Sequence, residues 1–182
     1  MRSIKGALAA LALAVAAGAG MAGALAPAPA WAEAWQEFRP GDGKFLALMP
    51  GQIVQTDQSY ANGGAGKRLL VEAANDEAYL LEWTDYPAAL ANSKPPEQHL
   101  LEAQANAQKA FSTGRLLSEK RIAINQWPGR AFMIDLNDGM ILQANHYWVG
   151  ARLYQLIVVT AKAKSTNPVI KDYFGAFNIL QR

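Results

Sequence analysis

Residues 115–161 read RLLSEKRIAINQWPGRAFMIDLNDGMILQANHYWVGARLYQLIVVTA, and this stretch decides the fold. Three strand-like runs follow one another here, separated at Asp138-Gly139 and Gly150-Ala151. Asp-Gly suits the type I′ turn of a two-residue hairpin, and Gly followed by another residue suits type II′. If both loops hold two residues, Ala131 faces His146, which faces Gln155, and Arg130 faces Tyr147, which faces Tyr154. One face of the sheet then carries Phe132, Ile134, Leu136, Ile141, Tyr147, Leu156 and Val158. The other carries Met133, Leu142, Ala144, Trp148, Leu153, Ile157 and Val159. An antiparallel sheet with one wet face alternates apolar and polar; with both faces apolar, this one is expected to be covered on both sides.

The covers are sought outward from the sheet. Pro95-Pro96-Glu97 opens a run to Phe111 in which Leu100, Leu101, Ala105, Gln108 and Phe111 fall near helical spacing, which predicts one long helix over 95–111. A shorter helix is expected from Asn167 to Phe174, followed by a closing strand Ala176–Gln181. Upstream, WQEFRPGDGKFLALMPG (35–51) predicts a short strand, a turn at Pro40–Gly43 and a strand from Lys44 to Met49 stopped by Pro50-Gly51. Ile53–Tyr60, Lys67–Ala74 and Glu77–Tyr86 continue as strands, separated by the glycine-rich 62–66 and by Asn75-Asp76. The fold class is α+β, a mainly antiparallel sheet with a long central helix and a short C-terminal one.

Composition narrows the function classes. The 182 residues hold no cysteine, so neither a disulfide nor thiol chemistry is available. Of 17 Lys+Arg, two (Arg2 and Lys5) fall in the first 32 residues, which carry no acid, so 15 basic residues meet 15 acidic ones in the remainder. That remainder is roughly 47% apolar, inside the range of about 45–50% usual for a globular domain. A neutral domain offers no electrostatic footprint for nucleic acid or for an anionic membrane. Residues 1–32 have the three parts of a secretory signal: a basic end, an apolar middle from Ala7 to Ala26, and the small-residue stop Ala30-Trp31-Ala32. Cleavage is expected after Ala32, leaving 33–182 as a single periplasmic domain with no stable membrane anchor. The competing reading, an uncleaved anchor, meets a stretch made mostly of Ala and Gly with few Leu.

The residues offer little for catalysis, and no catalytic residue, cofactor or metal is expected. The two histidines are His99, near the start of the long helix, and His146, in a strand; no G-x-S-x-G elbow supports a serine nucleophile. His146, beside Ala131 and Gln155, reads as a hydrogen-bonded structural group. Asp135, Asn137 and Asp138 cluster at a hairpin, but Asp-Gly is that turn's own requirement. Gly63-Gly64-Ala65-Gly66-Lys67-Arg68 lacks the Ser/Thr and the following helix of a phosphate loop and reads as a mobile hairpin tip. What remains are aromatic and arginine groups near turns: Trp127 beside Pro128, Arg130 beside Tyr147 and Tyr154, and Arg152 after the second hairpin. These residue types are enriched at binding hot spots. Tyr147 and Tyr154 also read as core rings with Arg130 packed over them, while Trp127 is placed on a loop.

The order of elements resembles the PsbP-like superfamily. The resemblance rests on FLALMPG (45–51), Trp127-Pro128-Gly129-Arg130, Gly150-Ala151-Arg152-Leu153-Tyr154 and Phe174-Gly175-Ala176-Phe177. It implies an α/β/α sandwich of the kind found in bacterial periplasmic members with the DcrB-like fold, and a binding or assembly role rather than catalysis. The chain lacks the lipid-anchoring cysteine of DcrB proteins, shows no match to a Ran-binding surface, and no family site residue carries over. The expected function is therefore a non-enzymatic accessory protein whose partner is another envelope protein. A carrier holding a small apolar or aromatic ligand between helix and sheet is the alternative, and an unrecognised hydrolase a remote third.

Overall fold

Two turns set the register of the large sheet, and they differ by one residue. The computed structural model describes residues 35–42, 44–73, 77–111 and 114–180. The expected leader (1–32) and its cleavage point lie outside the described residues, as do Gly43, Asn75-Asp76 and Gln181. At Gly150-Ala151 the loop holds two residues with a left-handed φ of 62° at Gly150, so Tyr147 faces Tyr154 and His146 faces Gln155, as the sequence predicts. The preceding loop is Asn137-Asp138-Gly139, with φ of 65° at Asn137 and 83° at Gly139, closed by the Leu136 N–H donating to the Met140 carbonyl at 3.0 Å.

The two-residue loop expected at Asp138-Gly139 is thus one residue too short, and the slip reverses one strand. Arg130 faces His146, Ala131 faces Asn145, and Gly129 faces Tyr147. Because side chains alternate with period two, Phe132 and Ile134 move to the face of Leu142, Ala144, Ile157 and Val159. A second correction lies upstream, where 115–161 holds four strands instead of three. The extra one is charged and mostly exposed, so it lacks the alternation that marks a half-buried strand. It turns at Asn125-Gln126, with φ of 52° at Asn125, and Trp127 opposite Ile124 opens the next strand.

In chain order the strands are β1 (Trp35–Phe38), β2 (Phe45–Pro50), β3 (Val54–Ser59), β4 (Ala65–Ala73), β5 (Glu77–Asp85), β6 (Arg115–Ile124), β7 (Trp127–Asp135), β8 (Met140–Val149), β9 (Arg152–Ala161) and β10 (Asn178–Ile179). The helices are α1 (Ala88–Ala91), α2 (Pro96–Ala110) and α3 (Pro168–Gly175), with a 3-10 turn at Lys162–Lys164. Seven strands form one antiparallel sheet in the order β3-β4-β5-β9-β8-β7-β6, and β1-β2-β10 form a small one. After β5 the chain passes through α1 and α2 to the far edge and returns strand by strand to β9.

The two faces are covered by different things. Leu100, Ala103, Ala107 and Phe111, from α2 and its end, pack on Phe132, Ile134, Leu142, Trp148, Leu153 and Ile157. The helix buries His99, Leu100, Ala103, Gln104 and Ala107, while Leu101 is 43% exposed. The expected stripe through Leu101 and Ala105 is therefore rotated towards His99, which stacks on Trp148, and Gln104, which bonds Arg130 and Glu119. On the opposite face, Phe45, Ala47 and Met49 of β2 join Ile170 and Tyr173 of α3 over Leu69, Tyr79, Leu81, Trp83, Tyr154 and Leu156. The Tyr173 hydroxyl donates to the Leu80 carbonyl at 2.7 Å. The second cover is thus strand and helix together, and the architecture is α+β with mainly antiparallel sheets and a few helices. Each fully buried Leu, Ile, Val, Met or Phe among them contributes roughly 1.5–3 kcal/mol.

Candidate functional site

The turns at Asn125-Gln126 and Gly150-Ala151 end at the same edge of the sheet, and β10 returns beside them. Between these segments lies an open bowl of about 480 Å³ lined by Lys44, Asp85, Trp127, Arg152, Tyr154 and Ile179, among others. Trp127 is half-buried in its wall and rests on the core below. It belongs to β7, and the loop position expected for it is corrected: a strand residue is held in place by its ladder, not left to the motion of a loop.

Arg152 is the best-fixed polar group of the bowl. Its Nε donates to Asp85 Oδ1 at 2.7 Å and its Nη2 to Oδ2 at 2.6 Å, a forked pair that fixes the guanidinium plane. Nη2 also reaches Asp42 Oδ2 at 2.8 Å, tying in the turn before β2. The guanidinium carbon lies 5.7 Å from the centroid of the Tyr154 ring, within cation–π range. Burial works against the charge on Arg152, but the bonds to Asp85 and Tyr154 outweigh it and hold the group above its usual range. Burial likewise opposes ionisation of Asp42, yet the Lys44 N–H and Arg152 keep that carboxyl below the usual carboxylate value.

Of the five residues singled out by sequence, the structure brings Trp127, Arg152 and Tyr154 together. Tyr147 stands directly across the ladder from Tyr154 but lies buried against Phe177, with ring centroids 6.0 Å apart. Its ring passes so close to Gly129 that a Cβ there would sit 2.5 Å from Tyr147 Cδ1. Arg130 is on the opposite face. Its Nη1 donates to Glu97 Oε1 and its Nη2 to Glu119 Oε2, each at 2.9 Å, and its Nε donates to Gln104 Oε1. Arg130 therefore clamps α2 to β6 and β7; the expected contact with the two tyrosines fails because of the one-residue slip.

The histidines are both structural in placement. His146 is wholly buried with neither ring nitrogen hydrogen-bonded, its ring edge-on to Phe132 at 4.8 Å. The hydrogen-bonded role expected for it is corrected: the slip puts Arg130 across from it, and Arg130 spends its donors on Gln104, Glu97 and Glu119. Desolvation pushes the His146 pKa down to about 3. His99 stacks on Trp148 at 4.0 Å, and its Nε2 lies 3.1 Å from the Ala91 carbonyl. Among the described residues, no group of three His, Asp or Glu is placed to hold a metal ion.

A second recess, about 270 Å³, opens between α2 and the sheet and holds Glu82, which the sequence reading passed over, and Arg68, which it placed in a hairpin tip. Its floor is Glu82, only 2% exposed, whose carboxylate accepts from the Tyr60 hydroxyl, from Arg68 Nε at 2.8 Å and from Gln155 Nε2 at 3.4 Å. Arg68 is thus a residue of β4 facing Glu82 across the ladder, and Tyr60 ties down the hairpin expected to be a mobile tip. The overlooked signal was a carboxylate in the middle of a strand whose other interior residues are nearly all apolar, Glu77–Asp85. A third recess, about 620 Å³, runs between α3 and the less covered face of β6 to β8.

No protein-family model matches the chain, and no curated protein matches its sequence. Among solved structures it is similar to cyanobacterial PsbP (CyanoP) from Synechocystis sp. PCC 6803, with a TM-score of 0.59 at 11% identity, covering 85% of this chain and 98% of that one. A Pseudomonas aeruginosa protein of unknown function is similar at 11% identity and a TM-score of 0.49, covering 81% of this chain and 97% of that one. The chain has a PsbP-like fold, as its element order predicts.

Proposed function

We propose, from the PsbP-like fold and the bowl around Trp127, that this is an exported, non-enzymatic accessory protein that docks another protein of the bacterial envelope. Its leader, 1–32, is removed after Ala32, and residues 33–182 act as one periplasmic domain. The observation that carries the reading is the half-buried Trp127 in the wall of one open bowl, with Arg152 beside it and the buried Tyr154 ring behind. Tryptophan is among the residue types most enriched at binding hot spots. Arg152 is already held by Asp85 and Asp42, so docking against it costs little side-chain entropy. The bowl is wide enough to seat one or two side chains of a partner.

Photo-crosslinking in the periplasm tests this. Ala151→p-benzoylphenylalanine places the probe in the bowl, and Leu101→p-benzoylphenylalanine places it on the exposed side of α2. A discrete protein adduct from position 151 and not from 101 is expected; the same adducts from both positions, or none from 151, would overturn the docking site. A second reading, a carrier of a small apolar or aromatic ligand, is favoured by the recess beneath α2.

A further inference from the structure

The recess beneath α2 contains a charged pair that the core does not require. Buried ion pairs of this kind seldom add stability over well-packed apolar residues, and a cleft lined by apolar groups with a few convergent polar ones is the usual form of a ligand site. Its apolar wall is formed by Ala107, Ala110, Trp148, Leu153 and Ile157. Its polar end is Arg68 on Glu82.

The hydrogen-bond inventory of that end decides the ligand's charge. Glu82 is saturated: Oε1 takes the Tyr60 hydroxyl and the Gln155 amide, and Oε2 takes Arg68 Nε and, at 2.7 Å, Arg68 Nη2. A cationic ligand would find the acceptors of Glu82 taken, and Glu102, which also lines the recess, is paired with Lys94. Arg68 has spent only its Nε/Nη2 side, and Nη1 has no protein acceptor among the described residues. The outer edge of a guanidinium, Nη1 with the second Nη2 proton, matches the two oxygens of a carboxylate. Arg68 paired with Glu82 carries no net charge, so a ligand anion is met there by N–H donors alone, which suits one carboxylate and not the two charges of a phosphate monoester. At about 270 Å³ the recess lies just below the range of drug-sized sites, roughly 300–1,000 Å³, which suits a ligand of one ring or a short chain.

We propose that this recess binds a small monocarboxylate with an aromatic or short acyl body, its carboxylate on the outer edge of Arg68 and its body against Trp148, Leu153 and Ile157. The assignment rests on the carrier reading and adds to it the ligand's chemical class.

Calorimetric titration of the exported chain with phenylacetate, hexanoate and phenylacetamide tests it. Saturable binding of an acid is expected, with phenylacetamide at least about tenfold weaker. Removing Arg68 alone would strand Glu82, so the pair is removed together, Arg68→Leu with Glu82→Leu; that variant is expected to bind acid and amide alike. If the double variant does not fold, Ala110→Phe narrows the recess without touching the pair and is expected to abolish acid binding. Equal affinity of wild type for phenylacetate and phenylacetamide would overturn the carboxylate assignment and leave the carrier reading standing. Binding of none of the three would overturn both, and acid binding unchanged in Ala110→Phe would place the ligand elsewhere.

Discussion

His146 shows how much a single buried group decides. A neutral imidazole with no hydrogen bond is wholly buried between Arg130 and Gln155 of the neighbouring strands and edge-on to Phe132, and its desolvation makes the folded chain resist its protonation down to about pH 3, whereas the unfolded chain takes the proton near 6.5. The unfolded state binds more protons across that window, so stability is full above about pH 6.5 and falls as the pH drops towards 3. On the order of 3 kcal/mol is lost by pH 4 from this residue alone. Denaturant unfolding at pH 7 and pH 4 checks it: His146→Leu is expected to stay folded at pH 7 and to lose far less stability at pH 4 than wild type. The carboxylates held below their usual values, Asp42, Glu119 and Asp135, are common to both proteins and cancel in the comparison. An equal loss in both would mean that the ring is protonated without cost.

Turns decide the elements. Asn137 stands at φ 65°, a conformation that glycine adopts freely and a β-branched residue resists by about 1–2 kcal/mol. Asn137→Gly is therefore expected to match or slightly exceed wild type in denaturant midpoint, and Asn137→Val to fall by that amount; equal midpoints would contradict the three-residue loop. The same turn marks the boundary of what was legible in the sequence. Gly150-Ala151 could be read because its glycine stands first between two long apolar runs, and the β8–β9 register followed from it. Asn137-Asp138-Gly139 could not, since Asp-Gly is equally at home in a two-residue loop, and the choice between loops lies in whether Phe132 and Ile134 meet α2. β6 was hidden for another reason: as an edge strand it carries Glu119, Lys120 and Arg121 where a covered strand would carry apolar residues. Trp127, Arg152 and Tyr154 were legible as hot-spot types near turns. The Arg68–Glu82 pair was not, because it emerges only when β4 is laid against β5.

At the scale of the molecule, the two covers cross the sheet over different strands. α2 lies chiefly on β7 and β8, while β2 and α3 lie mainly over β4, β5 and β9. Recesses remain where each cover stops: beneath α2 towards β4, beside α3 towards β6, and at the hairpin edge around Trp127. A sheet apolar on both faces was readable from sequence, but where its covers end was not, since that depends on how β2 and the C-terminal segment fold back. The central claim is that the hairpin edge is the docking surface, and it is tested most directly by native mass spectrometry of the protein taken gently from the periplasm, wild type beside Trp127→Ala. The account predicts a mature chain beginning at Glu33 in a complex with one envelope protein for wild type, and the same chain without that protein for Trp127→Ala. A complex that survives Trp127→Ala unchanged, or wild type bare of any protein, would contradict it.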